Sequence, residues 1–124
     1  MVDAENNQIY DSFYSIRNSR KGFIKNLVKN SCIGCCMAFR AEIKEKILPF
    51  PENIEMHDWW IGLVSELKYN SVFINDKLIR YRRHGGNVSS LTHYPISRMI
   101  RNRINFLMAI ILNLKKWKST QIIK

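Results

Sequence analysis

No stretch of this 124-residue chain approaches the roughly 18–20 consecutive apolar residues that a membrane-spanning helix requires. The greasiest run, Ile104 to Leu114, is broken by Asn105 and Asn113. No apolar leader opens the chain either, because Met1 to Gln8 is polar and acidic, which speaks against a signal peptide. Cysteine is confined to Cys32, Cys35 and Cys36, and no second group exists to complete a four-ligand zinc site. The apolar surroundings Gly34 to Phe39 read as a buried strand carrying reduced core thiols, which points to a cytosolic compartment. There is no Gly-rich phosphate loop and no pair of acids spaced for Mg²⁺ or Mn²⁺. There is no internal repeat and no low-complexity segment. Acid is scarce, with 10 Asp+Glu against 20 Lys+Arg and a net charge of +10. Residues 98–124 carry Arg98, Arg101, Arg103, Lys115, Lys116, Lys118 and Lys124 with no acid at all. Such a balance suits an anionic partner, whether nucleic acid, an acidic membrane surface or a phosphate-bearing ligand; the alternative is a solvated basic surface. The sequence has no helix-turn-helix signature, no RNA-binding aromatic motif and no zinc finger, so no nucleic acid is expected as partner.

What is present bounds the fold. A hydrophobic fraction of 46% is ordinary for a chain with a core, and the length suits one domain or less. Residues 1–19 read as an irregular arm with aromatics at Tyr10, Phe13 and Tyr14. Arg20 to Lys29 places Phe23, Leu27 and Val28 at helical spacing and predicts a short helix. Cys35 to Phe39 predicts a buried strand, and Arg40 to Ile47 is rich in helix formers until Pro49 and Pro51 break it. A stronger helix is predicted over Asp58 to Lys68, with Asp58 as N-cap or first-turn acid and Ile61, Val64 and Leu67 on one face. Ser71 to Asn75 and Leu78 to Arg82 read as two short strands around an Asn75-Asp76-Lys77 turn. Gly85-Gly86-Asn87 reads as a flexible loop. Pro95 to Lys118 reads as one long cationic helix with a stripe of Ile100, Ile104, Leu107, Ile111 and Leu114.

Three segments carry candidate chemistry: Gly34-Cys-Cys-Met-Ala-Phe-Arg40, His57-Asp58-Trp59-Trp60, and Tyr81-Arg-Arg-His-Gly-Gly-Asn-Val-Ser89. In this order, with Leu48-Pro-Phe-Pro51 between the first two, they resemble the family 2 nucleotide-sugar glycosyltransferases, rhamnosyltransferase-like members in particular. The resemblance covers roughly Val2 to Arg103 and falls on the C-terminal, acceptor-side half of such an enzyme. It implies an α/β fold: a partial GT-A-like (Rossmann-like) domain over 1–94, with a short mixed sheet flanked by helices. A basic amphipathic C-terminal helix follows over 95–124.

The same resemblance implies roles. Asp58 matches the general base that deprotonates the acceptor hydroxyl, and a carboxylate beside Trp59 and Trp60 would be partly desolvated and more basic. Its other reading is helix capping. Gly34, Cys35, His57, Trp59, Trp60, Arg82 and Arg83 match substrate-binding positions. The tryptophans are either sugar platforms or core residues, and Gly34 and Cys35 either border the cleft or pack beneath it. The arginines would stabilise a departing diphosphate. His84 matches a position that is sometimes a metal ligand, or is an ordinary loop histidine. The parent enzymes use a divalent metal, Mg²⁺ or Mn²⁺, a UDP- or dTDP-linked donor and a glycan or lipid-linked acceptor, in cell-surface polysaccharide synthesis. The donor half and its Asp-x-Asp-type metal motif have no counterpart here, so a truncated or split product is expected, with no metal bound by this chain alone and no transfer by the isolated chain. The terminal helix suits either an anionic membrane surface or packing against the missing half.

Overall fold

The computed structural model describes residues 1–87 and 94–120, the side chains of 118–120 excepted. Val88 and Ser89 of the third segment, Lys124 and the side chain of Lys118 therefore lie outside the described residues. The elements run α1 (Phe13–Arg17), α2 (Phe23–Val28), a 3₁₀ turn at Gly34–Cys36, a second at Ala41–Ile43 leading into α3 (Lys44–Ile47), α4 (His57–Lys68) and α5 (Ile96–Thr120).

The expected α/β fold with a mixed sheet is overturned: among the described residues there is no strand and no sheet, and the protein is a small helical one. Ladder pairing is reduced to two isolated bridges, Val2 with Gln8 (antiparallel) and Val2 with Arg82 (parallel). The physical reason lies in where each element finds its hydrogen bonds. A helix satisfies its backbone locally, whereas a strand exists only against a partner, so β-branched composition alone does not make one. At Cys35 to Phe39 the backbone closes on itself instead, with Cys36 N donating to Ile33 O at 2.9 Å and Met37 N to Gly34 O at 3.3 Å. Cys35, Cys36 and Phe39 are exposed, so Cys35 and Cys36 are not the core thiols the sequence predicts, and Cys32 alone of the three is partly buried. Residues 71–75 and 78–80 lack regular structure, and Val72 and Leu78 stand 79% and 77% exposed.

The N-terminal arm is more ordered than expected. α1 opens on a capping box in which the Ser12 hydroxyl accepts from Ser15 N and the Ser15 hydroxyl from Ser12 N, and it ends on Asn18 in the left-handed region. α2 starts at Gly22, whose φ of 125° favours glycine and whose N–H donates to Glu66 of α4 at 3.0 Å.

The core gathers around α4. Trp59, Trp60, Leu63 and Val64 pack with Leu27 of α2, Ile43 and Ile47 around α3, and Phe106, Ala109, Ile110 and Trp117 of α5. The Trp59 and Phe106 rings meet at 4.8 Å. Both tryptophans keep their indole N–H satisfied, Trp59 on Asn26 O at 2.7 Å and Trp60 on Ile47 O at 3.0 Å. The face of α4 is therefore set by 59, 60, 63 and 64, and Leu67, read from the sequence as a face residue, is exposed. α5 departs in the same way. Its core side is Phe106, Ala109, Ile110 and Trp117, while Ile100, Ile104, Leu107 and Ile111 of the predicted stripe point outward. Glu55 fastens the start of α5 by accepting from Arg98 Nε and from the buried Asn102 amide at 3.0 Å.

Gly62 of α4 lies close against Asn26 of α2 and Cys32 beyond it. A Cβ there would come within 2.5 Å of Cys32 Sγ and 3.0 Å of Asn26 Nδ2. Asn26 is buried and held, its Oδ1 accepting from Ser31 N at 3.0 Å. Alanine would add about 1 kcal/mol of helix propensity, against overpacking that typically costs about 1–3 kcal/mol. We expect Gly62→Ala to destabilise by about 1–2 kcal/mol in urea unfolding, with Cys32→Ala in the same chain restoring most of the loss. A stabilised Gly62→Ala would show that the close approach is not what requires glycine.

Candidate functional site

Two of the three segments singled out in the sequence meet in space. The Gly34–Cys36 turn lies against the N-terminus of α4, where Asp58 Oδ2 accepts from Gly34 N at 3.1 Å across 24 residues of chain. The other oxygen, Oδ1, accepts from Trp59 N at 2.7 Å. Met56 is the N-cap of α4 and gives it no side-chain capping bond, so Asp58 is its first-turn acid, where the helix dipole favours a negative charge. A carboxylate offers about four lone-pair directions, so two N–H donors fix its orientation and leave directions open for a hydroxyl proton. Asp58 is half-buried and Gly34 exposed, which puts this acceptor at the surface.

The turn itself is braced from below. Asn30 Oδ1 accepts from Cys32 N at 2.8 Å, and Asn26 holds Ser31 N. His57 is exposed, with its ring tilted at 48° against Phe50, centroids 4.5 Å apart. The Cys35 and Cys36 sulfurs lie 3.8 Å apart. Partial burial, and then the Cys35 thiol beside it, push Cys36 up to about 11. Burial pushes Cys32 up to about 11 as well, and the neighbouring Asp58 charge adds to the rise. Tyr14 belongs to the same neighbourhood: burial raises its hydroxyl, with further contributions from Cys36 and Cys32, and its ring meets Phe73 edge-on at 5.4 Å.

Trp59 and Trp60 offer no ring face to a sugar, since Trp60 is completely buried and Trp59 nearly so. Of the two readings the sequence allows for them, core packing is the one found. The third segment stands elsewhere in the hydrogen-bond network. Arg82 donates to Asn6 Oδ1 at 2.8 Å, and Arg83 N donates to Val2 O at 2.8 Å, tying this segment to the N-terminal turn. The Arg83 guanidinium lies by Tyr81, donating to its hydroxyl at 3.3 Å. His84 Nδ1 accepts from Gly86 N at 3.1 Å, and its backbone N–H donates to Asn87 Oδ1 at 2.6 Å, so the Gly85-Gly86 loop is a bonded turn. The ring nitrogen already engaged leaves His84 one nitrogen for a metal. Among the described residues no three His, Cys, Asp or Glu side chains converge. The donor set that Mg²⁺ or Mn²⁺ demands is not assembled by these residues.

Asn26, Asn30, Phe50 and Tyr14 complete the site; in the sequence Tyr14 stands out only as an arm aromatic, Phe50 only within Leu48-Pro-Phe-Pro51, and the asparagines not at all. Asparagine ordinarily reads as surface, and only the bonds to the 31–32 backbone, buried for Asn26 and partly buried for Asn30, reveal these two as scaffold.

The thiols give the site an alkaline signature. Below pH about 9 the Cys32 thiol is protonated in both folded and unfolded chains. Between about 9 and 11 the unfolded chain ionises first, so stability present below the ordinary value is lost as pH rises through that window. The melting temperature is expected to fall there, and Cys32→Ala should remove part of the slope, Cys36 accounting for the remaining thiol share. An unchanged slope in Cys32→Ala would remove the thiol from this role.

No family model, no curated protein and no solved structure matches this chain.

Proposed function

We propose that the chain is the acceptor-side portion of a nucleotide-sugar glycosyltransferase, with Asp58 as the base that takes the proton from the acceptor hydroxyl. The observation that carries this is the Gly34–Asp58 bond. It joins two of the three ordered segments that resemble family 2 enzymes and presents an oriented carboxylate at the surface. Support comes from that juxtaposition and from the order of the segments, and not from the α/β fold the resemblance implies, which the helical structure overturns. Trp59 and Trp60 act from the core, positioning α4 rather than contacting sugar. The exposed His57 and Cys35, chain neighbours of Asp58 and Gly34, would contact the acceptor. Arg82 and Arg83 would contribute charge for a diphosphate, and His84 one ring nitrogen for a metal, once a donor-binding half is present. On this reading the chain works in the cytoplasm on a glycan or lipid-linked acceptor, with UDP- or dTDP-sugar as donor.

The test joins the chain to a donor-binding half, by fusion or co-expression, and measures sugar transfer with the isolated chain as blank. Transfer by the joined enzyme, none by the isolated chain, and its loss in Asp58→Asn are expected. Transfer by the isolated chain, or a joined enzyme indifferent to Asp58, rejects the reading.

A further inference from the structure

The outward face of α5 is apolar where a surface helix is normally polar. Ile96, Ile100, Ile104, Leu107, Met108 and Ile111 are 40–75% exposed, while the opposite side buries Phe106, Ala109, Ile110 and Trp117. The six run along about 22 Å of helix at about 1.5 Å per residue. A contiguous exposed apolar stripe of this length marks an interaction surface. The charge set into it has one sign. α5 contains no Asp or Glu, and at about 100° per residue the exposed Arg101 and Lys115 fall among Ile104, Met108 and Leu112 on that same face.

We propose that this face docks on an anionic lipid surface. The helix lies parallel to the membrane, with its isoleucines and Leu107 reaching the acyl boundary. Arg101 and Lys115 lay their apolar stems along the stripe and carry their cationic ends to phosphate headgroups. Lying rather than crossing is what the helix permits, since no helix among the described residues is long and apolar enough to span a bilayer. Charge decides between lipid and a second copy. An antiparallel pair of α5 helices centred on Met108 sets Arg101 of each against Lys115 of the other, seven residues either side, between two chains of +10. An anionic surface meets the same cations favourably. Further positive charge stands close by. A cleft of about 380 Å³ is lined by Arg17, Arg20, Lys25 and Lys29 with no acid, and Val28 on its wall accepts a bond from Arg103 of α5.

This proposal stands on the α5 face and not on sugar transfer, so an inactive chain tests it equally well. The purified full chain is sedimented with phosphatidylcholine vesicles and with vesicles that also contain phosphatidylglycerol. Binding to the mixed vesicles is expected. Arg101→Gln with Lys115→Gln should weaken it about 25-fold, at roughly fivefold per charge. Ile104→Gln with Ile111→Gln, which leaves charge unchanged, should weaken it more than about tenfold. All four positions are exposed, and far-ultraviolet circular dichroism confirms that the variants stay folded. Absence of binding to the mixed vesicles overturns the proposal. Binding that survives the isoleucine pair does so too, because it would be bulk charge attraction. A dimer in analytical ultracentrifugation, abolished by the isoleucine pair and accompanied by no vesicle binding, would assign the face to a second copy.

Discussion

Replacing Asp58 by asparagine in an enzyme reconstituted with a donor half is expected to lower sugar transfer by about 10²–10⁴-fold, the usual range for a lost general base. Asparagine is nearly isosteric but cannot take the acceptor's proton. Its effect on the fold is small but not zero, and the geometry says why. Asp58 accepts from two backbone N–H groups, Gly34 N at one oxygen and Trp59 N at the other. Asparagine has one oxygen, so one donor faces an amide NH₂ and loses its partner, at a cost of about 0.5–1.5 kcal/mol. The negative charge at the start of α4 is lost as well, worth about 0.3–1 kcal/mol. A purely structural Asp58 would show that modest stability loss and keep its rate. Transfer within about threefold of the parent, well below the general-base range, would refute the assignment. Measuring rate and urea midpoint on the same variant separates the two roles. Gly34→Ala is a useful companion, because its added Cβ would sit 3.6 Å from Asp58 Cβ, ordinary contact, and the backbone N–H would remain.

How much of this was legible in the sequence differs by element for physical reasons. The helices over 23–28 and 44–47 fall inside the predicted spans, and those over 57–68 and 96–120 match theirs to within two residues, because helical hydrogen bonds are local and the sequence carries its own stops, such as Pro49 and Pro51. The strands failed because nothing local guarantees a partner for Cys35 to Phe39 or for 71–82. Helix phase failed more instructively. α5 is apolar on both sides, so a period of 3.6 fits the Ile100-Ile104-Leu107-Ile111 stripe as well as the side that packs. The large rings decide: Phe106 and Trp117 bury more surface than an isoleucine, and their side became the inside. In α4 the reading holds at Val64, which is fully buried, and at Ile61, which packs against the core, while the adjacent Trp59 and Trp60 turn the face enough to leave Leu67 exposed. At the candidate site the residue types were legible and their meeting was not. The bond that joins the segments comes from a backbone N–H of Gly34, which no side-chain motif announces.

The largest effect on stability is expected at Trp60. Its side chain is fully buried, with 0% of its surface exposed, and it sits between α3 and α4 with its indole N–H on Ile47 O at 3.0 Å. Truncation to alanine removes the ring and leaves both a cavity and an unpartnered carbonyl, and large-to-small changes of this kind cost about 3–5 kcal/mol. A small domain has about 5–15 kcal/mol in all, so Trp60→Ala should lose a large share of it and unfold at a much lower urea concentration. Trp60→Phe separates the two losses, since it keeps most of the apolar volume and gives up only the bond to Ile47, about 0.5–1.5 kcal/mol. Leu67→Ala is the control for helix phase. Leu67 is exposed, so its truncation should stay within about 0.5 kcal/mol, as surface changes do. Urea midpoints for the three variants give the ordering directly: Trp60→Ala far below Trp60→Phe, and Leu67→Ala close to the parent. If Leu67→Ala were the costly one, α4 would be rotated about its axis from the arrangement described, and the turn that reaches Asp58 would have to move with it.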